Sequence, residues 1–198
     1  METAEILCYD GMDELDAVGP HEVLANAADR GGPAPTLRTV EAAERVTSRQ
    51  GLRIDPDGTL SARPDLLVVP GGGWGARDDV GAWGEAERGT LPAAIAARHD
   101  RGSTVAAVCT GAMLLAYGGL LDGRPAATHR GARDDLRERG ADVREARVVD
   151  DGDVLTAGGV TAGLDLALRV VERVCGADVA AEVAANMEYE RRGPVLTP

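Results

Sequence analysis

The sequence predicts an α/β fold, a parallel sheet covered by helices on both faces. Three observations carry that expectation. Short apolar runs alternate with stretches of helical periodicity; the runs are continuous, as strands buried on both sides require; and they break off at Gly-rich loops. In such sheets ligands bind beyond the carboxyl ends of the strands. The loops after Tyr9, Val69 and Val108 are therefore expected to converge on one site.

Taken in order, Glu5 to Tyr9 is a buried strand ended by the Asp10-Gly11 turn. A helix starting between Asp16 and Pro20, where proline suits a first turn, runs through Val23 and Leu24 to Gly31-Gly32. Thr36 to Ala42 reads as a strand, and the polar stretch from Ala43 to Pro64 has room for a small hairpin. Asp65 to Val69 is a buried strand cut off by Pro70-Gly71-Gly72-Gly73. Thr90 is expected to cap a helix that carries Leu91, Ile95 and Ala96 up to Gly102. Thr104 to Val108 is another buried strand, running directly into Cys109-Thr110-Gly111 and a helix with Met113, Leu114 and Leu115. Ala126 to Thr128 reads as a short strand and Arg133 to Arg139 as a surface helix; Ala146 to Val149 and Asp153 to Ala157 pair around Asp151-Gly152. Leu164, Ala167, Leu168, Val171, Val174 and Cys175 share one face of an amphipathic helix, and Asp178 to Met187 forms a second. No linker, repeat or low-complexity segment interrupts the pattern, so residues 1–198 are expected to form one domain.

Composition narrows the function. With 33 acidic against 21 basic residues the net charge is -12, and the arginines from Arg124 to Arg147 are interleaved with Asp and Glu. That balance repels phosphate backbones, so no nucleic-acid partner is expected. No apolar run is long enough to span a bilayer, and Met1 to Asp10 lacks the basic start and cleavage signal of a secretory peptide, so no membrane association and a cytoplasmic location are expected. Cys8, Cys109 and Cys175 have no CxxC spacing, which argues against a disulfide framework or a zinc site. His21, His99 and His129 share no ligand spacing with a carboxylate pair, so no metal is expected.

The chemistry points to Cys109. It stands between the strand Thr104 to Val108 and the helix that opens at Thr110, the position of a nucleophile elbow, with Gly111 leaving room for a tight approach. A helix N-terminus beside it is expected to lower the thiol pKa. Cys8, inside a strand, and Cys175, on an apolar helix face, read as core residues. Asp16 alone reads as a helix cap; paired with Cys109 it becomes a carrier of protons. Gly72 and Gly73 offer backbone N–H groups for an oxyanion hole. Trp74 follows them, placed to fill or line a pocket. His129, in Ala127-Thr128-His129, is a candidate base as well as a candidate hydrogen-bonded structural residue.

These residues also carry a resemblance. Leu15-Asp16 with Val18-Gly19-Pro20-His21-Glu22-Val23-Leu24, Val69-Pro70-Gly71-Gly72, Val108-Cys109-Thr110-Gly111, Ala127-Thr128-His129 and Thr156-Ala157-Gly158-Gly159-Val160-Thr161-Ala162-Gly163-Leu164-Asp165 together resemble the ThiJ/PfpI superfamily over nearly the whole chain. The resemblance implies a flavodoxin-like, class I glutamine amidotransferase-like domain, a homodimer, no cofactor and a cysteine nucleophile at Cys109. Asp16, where many members carry Glu, and Thr110 directly after the cysteine are similar to the isocyanide hydratase-like subgroup. That subgroup implies addition of water to a small-molecule isocyanide, giving an N-formamide. Cys109 would attack, Asp16 would handle the proton, Thr110 would steady the site, and Gly72 and Gly73 would face the developing charge. Two alternatives stand beside it: a redox-sensor or ligand-binding regulatory domain, and a glyoxalase-like activity on 2-oxoaldehydes with His129 as base. Arg130 after Thr128-His129 and Glu190-Arg191-Arg192 near the end depart from the family pattern.

Overall fold

The structure, a computed structural model, describes residues 1–198. Its first half contains β1 (Thr3–Leu7), α1 (Glu14–Ala28), β2 (Ala34–Thr39), β3 (Val46–Thr47), β4 (Arg53–Ile54), β5 (Gly58–Thr59), β6 (Leu66–Val69), α2 (Ala82–Arg88) and α3 (Thr90–His99). The second half contains β7 (Thr104–Ala107), α4 (Gly111–Tyr117), β8 (Pro125–Ala126), a 3-10 turn at Arg130–Ala132, α5 (Arg133–Glu138), β9 (Asp142–Val143), β10 (Val148–Asp151), β11 (Val154–Ala157), α6 (Ala162–Cys175), α7 (Ala177–Asn186) and β12 (Val195–Leu196).

The continuous apolar runs form the middle of the sheet, because only there are both faces covered. All of Leu66, Leu67, Val68 and Val69 are buried, as are Val105, Ala106 and Ala107. Eight strands lie in the order β12-β10-β11-β7-β6-β1-β2-β5. Pairing is parallel from β5 through β11, while β10 runs antiparallel to β11, so the expected parallel sheet has one antiparallel edge. The run β2, β1, β6, β7, β11 is the order of a doubly wound sheet, which reverses direction between β1 and β6. Helices α1, α6 and α7 pack together, and α2, α3 and α4 form a separate group. One core of 50 buried residues joins the layers; Tyr9 and Trp74 are its only buried aromatics, the rest being mainly Ala, Val, Leu and Ile.

The departures from expectation have local causes. Helix α1 begins at Glu14, capped by Asp13, whose carboxylate accepts the Leu15 N–H at 3.2 Å. Pro20 therefore falls inside the helix, where it has no N–H to donate to the preceding turn. Asp16 is in the first turn and buried, so it is not the cap. Thr90 likewise begins α3 instead of capping it; the residue before it is Gly89 in the left-handed region. The hairpin in the polar stretch is β3 with β4, paired antiparallel. Helix α2 has no counterpart among the expected elements, and it contains Gly84, a poor helix former. A Cβ there would lie 1.9 Å from the Asp79 carbonyl, so the glycine permits a close approach.

Candidate active site

Cys109 joins β7 to α4 with φ +57°, in the left-handed region that a side-chain-bearing residue rarely adopts. The surroundings hold it there. Its N–H reaches the carbonyls of Ala157 and Gly158 at 3.2 and 3.0 Å, and its own carbonyl accepts the Thr128 hydroxyl at 2.9 Å. Two glycines let the loops after β6 and β7 touch. A Cβ on Gly111 would sit 2.2 Å from the Val69 carbonyl oxygen, and one on Gly71 would sit 2.4 Å from the Thr110 nitrogen.

Asp16 is fully buried beneath this elbow. Its Oδ2 accepts the Gly71 N–H at 2.9 Å, while Oδ1 has no conventional partner. The Cys109 thiol is a further neighbour, close enough to lower the proton affinity of the carboxyl. Burial raises the Asp16 carboxyl to about 8, and the Gly71 N–H and the thiol only partly offset it. Burial also pushes the Cys109 thiol up to about 12, with the Asp16 charge adding to the rise. The N–H groups of Val160 and Thr110 pull the other way, but they do not win. Desolvation and the neighbouring carboxylate thus act against the lowering of the thiol pKa expected from the N-terminus of α4.

Thr110 is buried, and its Oγ1 accepts the Gly72 N–H at 2.8 Å. The Gly72 donor is therefore engaged. The Gly73 N–H has no protein partner, which leaves it as the free donor of the pair. Tyr9 steadies this loop from below, its hydroxyl donating to the Pro70 carbonyl at 2.8 Å.

A cavity of about 410 Å³ opens above the thiol, with Cys109, Thr110, Gly72, Gly73, Trp74 and His129 in its wall. Trp74 is buried; its indole N–H donates to Asp135 Oδ2 at 2.5 Å, and its ring meets Trp83 edge-on at a centroid distance of 5.0 Å. His129 is half-buried, and its Nδ1 accepts the Gly131 N–H at 3.1 Å. An imidazole accepting at Nδ1 carries its proton on Nε2, so in this arrangement the free nitrogen donates. His99 is remote from the cavity and pairs with Asp153 at 2.8 Å.

The structure thus gathers all seven sequence-selected residues at the switch point of the sheet, with Asp16 under the cavity and the others around it. Sequence reasoning missed Asp13, Arg49 and Val160, which share the cavity wall. Val160 follows Gly158-Gly159 and has φ +38°, a strain that the glycine pair alone does not announce. No helix is long and apolar enough to cross a membrane.

Comparison with known proteins gives the family. The model of the DJ-1/PfpI family matches residues 2–173. The chain is 35% identical to isonitrile hydratase of Pseudomonas putida over 190 residues, covering 95% of this chain and 78% of that protein. It is 30% identical to the Parkinson disease protein 7 homolog of Danio rerio, over 93% of this chain and 95% of that one. Among solved structures, a ThiJ/PfpI family protein from Pseudomonas syringae superposes with a TM-score of 0.84 at 32% identity, covering 98% of this chain and 78% of its own. An elbow cysteine over a buried acid, a flavodoxin-like sheet and these matches lead to one assignment: the chain belongs to the DJ-1/PfpI family.

Proposed function

We propose that the protein is a cofactor-independent isocyanide hydratase, with Cys109 as nucleophile and Asp16 as the group that moves protons. The observation that carries this reading is the placement of a strained, cavity-facing thiol beside a fully buried carboxylate whose Oδ1 has no hydrogen-bond partner. The similarity to isonitrile hydratase of Pseudomonas putida supports the choice of substrate.

The steps balance without a cofactor. Ionised Asp16 takes the thiol proton as Cys109 Sγ bonds to the terminal isocyanide carbon, then passes that proton to the same carbon. The product is a thioimidate, S–CH=N–R, and Asp16 is a carboxylate again. Water then adds to the thioimidate carbon, losing a proton by way of Asp16 to the nitrogen. Collapse of the S–CH(OH)–NHR adduct breaks the C–S bond, releases the N-formamide and returns the proton to sulfur. The free Gly73 N–H faces the charge that develops on the substrate, and Thr110, already holding Gly72, keeps its own hydroxyl proton to donate.

The test is turnover of alkyl and aryl isocyanides beside methylglyoxal. Formamide should accumulate with the parent protein and stop with Cys109→Ala. Turnover of methylglyoxal alone would favour the glyoxalase-like alternative. Formation of formamide at the parental rate by Cys109→Ala would remove the covalent mechanism.

A further inference from the structure

We propose that Arg49 recognises a carboxylate on the substrate, so that the site takes small electrophiles bearing an anionic group away from the reacting carbon. This rests on the reading of Cys109 as a nucleophile and extends it to substrate class.

The position of Arg49 is fixed by its backbone. The β3–β4 hairpin is tied to the loop between β1 and α1 by four hydrogen bonds. The Gly11 N–H reaches the Thr47 carbonyl at 2.9 Å, the Arg49 N–H the Met12 carbonyl at 2.8 Å, the Thr47 N–H Asp10 Oδ1 at 2.8 Å and the Gln50 N–H Glu14 Oε1 at 3.0 Å. The tip of the hairpin is thereby held beside the segment that carries Asp16. From there the Arg49 side chain reaches the Gly73 loop, its Nη1 lying 3.4 Å from where a Cβ on Gly73 would stand, and it shares the cavity wall with Cys109.

Its charge is uncommitted. Arg45 on the same hairpin pairs with Asp55 at 2.8 Å, and Arg77 on the neighbouring loop pairs with Asp135 at 3.0 Å. Arg49 makes neither an ion pair nor a side-chain hydrogen bond, although Asp13 lines the same cavity and Asp10 and Asp78 the adjoining surface. Asp13 is engaged by the Leu15 N–H as the cap of α1. In a chain of net charge -12, an anion approaching the site is repelled overall. A cation in the wall with no protein partner is what would admit and orient a carboxylate there, through charge-assisted hydrogen bonds.

Paired alkylating reagents test this without any assumption about turnover. Iodoacetate and iodoacetamide react alike: Sγ bonds to the CH2 carbon, iodide leaves, and the thiol proton goes to Asp16 or to water. They differ in one carboxylate. Rates at Cys109 are read by mass spectrometry of its peptide, with Cys109→Ala as the background. The iodoacetate-to-iodoacetamide rate ratio should fall about fivefold or more in Arg49→Met and largely recover in Arg49→Lys, consistent with a partly exposed charge-assisted contact. Raising the salt should move the parental ratio towards that of Arg49→Met. The ratio cancels any general change in thiol reactivity or folding. An identical ratio in the parent and Arg49→Met overturns the Arg49 proposal and leaves the nucleophile intact. A Cys109 inert to both reagents overturns the nucleophile reading and the Arg49 proposal with it.

Discussion

The fully buried Asp16 carboxyl lies beside the Cys109 thiol at the elbow, and each group shifts the proton affinity of the other. The charge of Asp16 raises the thiol pKa, while the thiol lowers the pKa of the carboxyl, so the proton of the singly ionised pair rests on sulfur. Below about pH 8 the carboxyl keeps its proton as well, and its ionisation is what sets a base beside the thiol.

The first consequence is a pH profile. If ionised Asp16 removes the thiol proton, activity requires the carboxyl to lose its own proton, which it does near 8. Hydration measured as kcat/KM should rise with pH through about 8 and then level off. In Asp16→Asn that inflection should vanish and turnover fall about a hundredfold or more. A pH-independent rate between 6 and 9 in the parent, on the order of these assay values, would exclude Asp16 as the base.

Asp16 should also weaken the fold. Its folded pKa lies above the unfolded value, so the stability it contributes is fully present below about 4 and is lost as pH rises to about 8. Asp16→Asn, which can still accept the Gly71 N–H, should therefore stabilise the protein at pH 7 by up to about 4 kcal/mol. The gain should shrink towards zero near pH 4. Urea unfolding of both proteins across that range reads the difference directly, and a gain that grows on acidification would reverse the sign of the argument.

Gly111 should tolerate no side chain. A Cβ 2.2 Å from the Val69 carbonyl oxygen forces backbone apart on both loops. Gly111→Ala should cost about 3 kcal/mol or more in thermal or urea unfolding. An unchanged stability would mean that the loops after β6 and β7 are not in this contact.

Thr110→Val keeps the shape and removes the acceptor of the Gly72 N–H. Orphaning that donor should cost about 1–3 kcal/mol of stability. The loosened Gly73 loop should lower kcat more than it raises KM. Thr110→Ser should restore both.

Much of this was legible in the sequence because the relevant signals are local. Val105 to Val108 is a short apolar run with no polar interruption, followed at once by Cys109-Thr110-Gly111, which is enough to place an elbow. The Gly71-Gly72-Gly73 loop is local in the same way. What could not be read depends on long-range packing. Whether Asp16 caps its helix or faces inward turns on the start of α1 at Glu14, a shift of a few residues that reverses the side-chain direction. The thiol pKa turns on burial beneath loops that are distant in sequence. Arg49 looks like one charge in a polar stretch until the hairpin is tied back to Gly11 and Met12. Helix α2 is a related case: Gly84 serves a contact with Asp79 that composition does not reveal.

The central claim is that Cys109 bonds covalently to the substrate carbon, and intact-protein mass spectrometry after rapid acid quenching tests it most directly. With a slowly hydrated isocyanide, the protein should gain the full mass of one isocyanide, because addition expels no leaving group, and peptide mapping should place that gain on Cys109. Asp16→Asn should reach the adduct more slowly, and Cys109→Ala should show none. Formamide production by the parent with no adduct at any quench time, together with undiminished turnover by Cys109→Ala, would contradict the account.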